Sequence, residues 1–264
     1  MTTNPLRAAY DSLVRPPLYL LAGSEDQLGQ ANPRPFAYAW IMLMPLAGVW
    51  GGVICLTWWV LDAIFGPGTY VAPLLTAVVA LWPLRRALLA ASERDSRRSP
   101  ARNMIVPLLV FVIGFVAIRN HMQFPYDAES LPQWLLPYDR AYRVLLVMPL
   151  WGAWAMLILP KLCQPGKEPH PAVTTFGRGC PVSAAAMLMA VPLGLSLLFF
   201  NYLGWLQLII VGAALVTAMG VGPLLAWRRG GLGREVMLAT NVYVQVAVLL
   251  GFLAANKLIV HPLY

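Results

Sequence analysis

Seven runs of mostly apolar residues dominate this sequence, and they constrain its fold more than any other feature. They lie at 38–65, 70–84, 104–118, 144–163, 181–200, 205–227 and 236–256. A helix needs about 20 such residues to cross a bilayer. The second run is short and reaches spanning length by extending through Arg85 and Arg86 to Ala91. Charged residues make up 11% of the 264-residue chain, against about 25% in soluble domains. A water-soluble globule of this length needs more polar surface than that. The composition therefore excludes a soluble enzyme, a disordered chain and a nucleic-acid-binding domain. The expected fold is all-α: a polytopic bundle of about seven transmembrane helices over 38–264, preceded by a polar arm over 1–37. A short surface helix is expected near 5–14 of that arm, ended by Pro16 and Pro17.

Lysines and arginines set the orientation, because they accumulate in cytoplasmic loops. Seven spans put Arg7, Arg15, Arg34, Arg85, Arg86, Arg94, Arg97, Arg98, Arg102, Lys161, Lys167, Arg178, Arg228, Arg229 and Arg234 on the side of the amino terminus. Arg119, Arg140, Arg143 and Lys257 fall on the other. This places the amino terminus in the cytoplasm of a multi-pass protein of the cell (inner) membrane, with the bilayer as its partner and no nucleic acid. The net charge of +8 is accounted for by these loops.

Ordinary site chemistry is sparse. Cys55, Cys163 and Cys180 form neither a disulfide framework nor a metal motif. His121, His170 and His261 fall on opposite sides of the membrane, so they make no metal cluster. No span carries a carboxylate at its centre, which argues against a proton-coupled transporter and an acid-ringed channel. Midspan polar groups are limited to Thr57, Thr76, Ser196, Thr217, Asn241 and Gln245. Prolines such as Pro45 and Pro149 and small-residue faces such as Gly48, Gly51 and Gly52 suit close helix packing.

Chemistry is therefore expected in two loops on the cytoplasmic side. One runs from Ser92 through Arg94, Asp95 and Arg97 to Arg98. The other runs from Arg228 through Gly230, Gly231 and Arg234 to Glu235. Carboxylates hold Mg2+ alongside substrate phosphates, arginines match phosphate oxygens in a planar fork, and glycines let phosphate approach backbone N–H groups. The same loops equally fit the basic inner loops of any membrane protein.

In the order of its features the chain resembles the adenosylcobinamide-GDP ribazoletransferase (cobalamin-5'-phosphate synthase) family over about 38–255. The carrying pieces are Met44-Pro45-Leu46-Ala47-Gly48, Arg94-Asp95-Ser96-Arg97, Leu150-Trp151-Gly152-Ala153-Trp154 and Arg229-Gly230-Gly231-Leu232-Gly233-Arg234-Glu235. The family's acidic stretch is absent: that place holds Leu81-Trp82-Pro83-Leu84-Arg85-Arg86. The family's arginine in the Trp segment is replaced by Ala153, and its helix glutamate falls on Gln245. The resemblance implies a Mg2+-dependent membrane transferase of cobalamin biosynthesis. It would join adenosylcobinamide-GDP to α-ribazole or its phosphate with release of GMP. Asp95 and Glu235 would be catalytic metal ligands, and Arg94, Arg97, Gly230, Gly231 and Arg234 would bind substrate. The alternatives are a non-catalytic relative acting as a membrane subunit or a lipid- or isoprenoid-binding protein, and a small-molecule permease.

Overall fold

The structure is a computed structural model, and it describes residues 10–22, 34–66, 69–82, 109, 111–118, 140–166 and 170–260. Among these residues the chain is helical, with one isolated parallel bridge between Pro165 and Leu232 and no strand. The helices are α1 (Arg15–Ala22), α2 (Ala39–Phe65), α3 (Val71–Leu81), α4 (Arg140–Leu162), α5 (Pro171–Gly179), α6 (Val182–Leu188), α7 (Ala190–Phe199), α8 (Gln207–Val216), α9 (Gly222–Arg228) and α10 (Arg234–Val260). Five continuous helical stretches are long and apolar enough to cross a membrane: Arg34–Phe65, Arg140–Leu162, Val182–Phe199, Asn201–Arg228 and Arg234–Ile259. Helix α3 is apolar but shorter. Of the expected third span, 109 and 111–118 are described and are helical.

Helices α4 and α10 form the centre. Their apolar windows are 78% buried, against 22–33% for the other three long stretches. The core is knitted by aromatic side chains whose polar atoms are satisfied. Trp151 donates to Ser196 Oγ at 2.9 Å, and Trp154 donates to the Ala185 carbonyl at 3.0 Å. The two indoles meet edge to face, with centroids 5.6 Å apart. Gly51 on α2 lies against the α4 backbone: a Cβ there would sit 2.8 Å from the Leu146 carbonyl oxygen. This close approach is the reason for a small residue at that point.

Two expectations are corrected. Pro16 and Pro17 do not end a helix. They occupy the first turn of α1, which continues from a π-helical turn at Tyr10–Val14. Proline is tolerated in the first turn of an α-helix, where its missing N–H removes no i→i−4 bond within α1. Leu20 of α1 is fully buried in the same hydrophobic core as the long helices. Arg140 and Arg143 are not loop residues either, because α4 begins at Arg140. Arg143 is buried, donates to the Phe199 carbonyl at 3.1 Å, and shares the Tyr202 ring with Arg140. Partners on α7 and the following turn let a guanidinium enter the helix that the apolar pattern starts at Val144.

Candidate functional site

The glycine-rich loop between α9 and α10 is built first by backbone geometry. Gly230 donates to the Trp227 carbonyl at 3.2 Å and Gly231 to the Ala226 carbonyl at 2.8 Å, closing the carboxyl end of α9. Leu232 then pairs with the segment after α4, donating to Gln164 at 2.8 Å and accepting from Gly166 at 3.2 Å. Gly231 has φ +132°, and a Cβ there would lie 2.3 Å from the Gly166 Cα. Only glycine fits. The N–H groups expected to meet phosphate at Gly230 and Gly231 are thus used inside the protein.

The neighbouring charges are also engaged. Arg234 is buried and donates through Nε to the Leu20 carbonyl at 2.8 Å, fastening α1 to the start of α10. Glu235 pairs with Arg229 at 3.2 Å. Arg94, Asp95 and Arg97 lie outside the described residues. Among the described residues no three His, Cys, Asp or Glu side chains come together as a metal site. Of the two carboxylates expected to hold Mg2+, the described one, Glu235, is ion-paired with Arg229. His170 caps α5, accepting from the Ala172 N–H at 3.2 Å. Burial raises the Cys163 and Cys180 thiols above the ordinary range, with Lys161 partly opposing this at Cys180.

A different site is present within the bundle. A cavity of about 250 Å³ lies between α1, α2, α3, α4 and α10. Its walls are apolar, including Leu21, Leu43, Ala47, Trp50, Pro149 and Ala153. Leu18 and Val49 are exposed on the outer surface of the bundle beside it. Trp50 is held across to α3 by donating to the Ala80 carbonyl at 3.4 Å. Among the described residues two amides, Asn241 and Gln245, supply polar side chains to the lining. At 1.5 Å per residue they lie about 10 and 16 Å along α10 from its start.

These amides form a short relay. Asn241 Nδ2 donates to Met156 Sδ at 3.4 Å, and Gln245 Nε2 donates to Asn241 Oδ1 at 2.5 Å. Gly152 makes room for this arrangement, since a Cβ there would sit 3.0 Å from the Asn241 amide atoms. Both residues are visible in the sequence as midspan polar groups, but an apolar run with two amides does not reveal that they face a shared cavity. Comparison with protein-family models, curated proteins and solved structures finds no match to this chain.

Proposed function

We propose that this protein is a multi-pass membrane protein that takes the apolar part of a lipid or isoprenoid into the cavity between α1, α2, α3, α4 and α10. The observation that carries this reading is the cavity itself: apolar walls at the exposed outer surface of a bundle with five membrane-length helices. In a bilayer that surface meets hydrocarbon. Ligand sites run upward from about 300 Å³, so a cavity of this size holds one end of a chain while the remainder stays in the lipid. Seven spans with the amino terminus in the cytoplasm of the inner membrane complete the proposal, supported by the distribution of Lys and Arg.

Photo-crosslinking tests it. A diazirine-bearing prenyl or acyl lipid in proteoliposomes should label peptides containing Leu43 to Trp50 and Pro149 to Ala153. Ala153→Leu, which fills the cavity, should reduce that labelling several-fold. Labelling spread evenly over the exposed helices, or unchanged in Ala153→Leu, would overturn the reading.

The ribazoletransferase activity is a second proposal. Its support is the order of motifs, together with Glu235, which remains partly exposed in the first turn of α10 beside Arg229. Formation of GMP from adenosylcobinamide-GDP and α-ribazole with added Mg2+ tests it. No product from folded protein in liposomes would end it.

A further inference from the structure

The relay at the cavity fixes which atom faces a ligand. A thioether sulfur only accepts hydrogen bonds, so Asn241 must turn Nδ2 toward Met156 Sδ. That leaves Asn241 Oδ1 facing Gln245, which must answer with Nε2. The Gln245 carbonyl oxygen Oε1 is then left over, and among the described residues no donor bonds to it. The side chain is 7% exposed and lines the cavity. Among the described residues the fully enclosed side-chain polar atoms without a partner are Thr76 Oγ1 and Gln207 Oε1, so Gln245 Oε1 is not fully enclosed. That oxygen therefore opens to the cavity.

An amide oxygen in hydrocarbon without a donor is costly. Among the described residues no cationic side chain lines the cavity, so none of them balances a phosphate or a carboxylate. From this we infer that the ligand's inserted end is a neutral hydroxyl, donating to Gln245 Oε1, and that the ligand is an uncharged long-chain or isoprenoid alcohol. The inference rests on the reading of the cavity as a lipid site and adds the chemistry of the inserted end. Asn241 and Met156 act as positioning residues, because they hold the Gln245 amide in one orientation.

The test compares a C15 isoprenoid alcohol with its methyl ether as competitors of the photo-label in proteoliposomes. The two differ in the donor and little else. The alcohol should compete roughly three- to tenfold better with the wild-type protein, the worth of one net hydrogen bond. In Gln245→Leu and Gln245→Met the two competitors should become equal, with the ether still competing. Equal competition in the wild type overturns the hydroxyl assignment and leaves the cavity reading standing. An alcohol preference that survives in either variant overturns the role of Gln245. Failure of both probes to compete with the wild type removes the lipid reading, and the hydroxyl with it.

Discussion

Gly51→Ala and Gly52→Ala form a matched pair on α2 that measures the contact between α2 and α4. A Cβ at Gly51 would lie 2.8 Å from the Leu146 carbonyl oxygen and 3.0 Å from its Cα, while a Cβ at Gly52 meets nothing within 4 Å. The helix-propensity gain on replacing glycine, up to about 1 kcal/mol, is common to both variants and cancels in their difference. What remains is steric. The opposing atoms belong to the α4 main chain and cannot rotate aside, so the two helices must separate. Overpacking of this kind costs about 1–3 kcal/mol, and Gly51→Ala should be less stable than Gly52→Ala by that amount. Reversible unfolding in mixed micelles, followed by tryptophan fluorescence, gives both values. Equal stabilities, or a more stable Gly51→Ala, would refute the packing argument.

Arg234→Gln should loosen α1, because a charge-assisted bond worth about 1.5–3 kcal/mol is lost; hydrogen exchange of the amides at 15–22 should quicken at least tenfold, and unchanged exchange would count against the tether. Arg143→Leu leaves the buried Phe199 carbonyl without its guanidinium and should lower stability by about 1–3 kcal/mol, visible as a drop in the thermal midpoint in detergent. Arg228 is exposed at the end of α9, so Arg228→Cys in a background lacking the other cysteines reports orientation. An impermeant maleimide should label it only after the cells are opened, and labelling of intact cells would reverse the proposed topology.

The amino-acid sequence by itself determined the class of the molecule. Long uncharged runs need a helix and an apolar surround wherever their side chains point, because every backbone N–H and C=O must be satisfied within the segment. Length and apolarity are local properties, so all five long stretches fall within about four residues of the expected spans. In the first, a 3-10 turn extends the helix four residues ahead of Tyr38. The glycines of the α9–α10 loop were also legible as special positions, although their cause is a helix cap and a backbone bridge.

Only the tertiary structure decided which faces turn inward. Trp58 is fully buried while Trp59 is 60% exposed, yet neither neighbour differs in hydrophobicity. Lipid is as apolar as a protein core, so an apolar helix carries no hydrophobic signal for its inner face. For the same reason the sequence did not reveal the burial of Arg143, the seat of Leu20 beneath Arg234, or the cavity on which Gln245 opens. Each depends on contacts between residues far apart in the chain: Arg143 with Phe199, Leu20 with Arg234, and Asn241 with Met156. Those pairings arise when the helices pack, and no local pattern of residues records them.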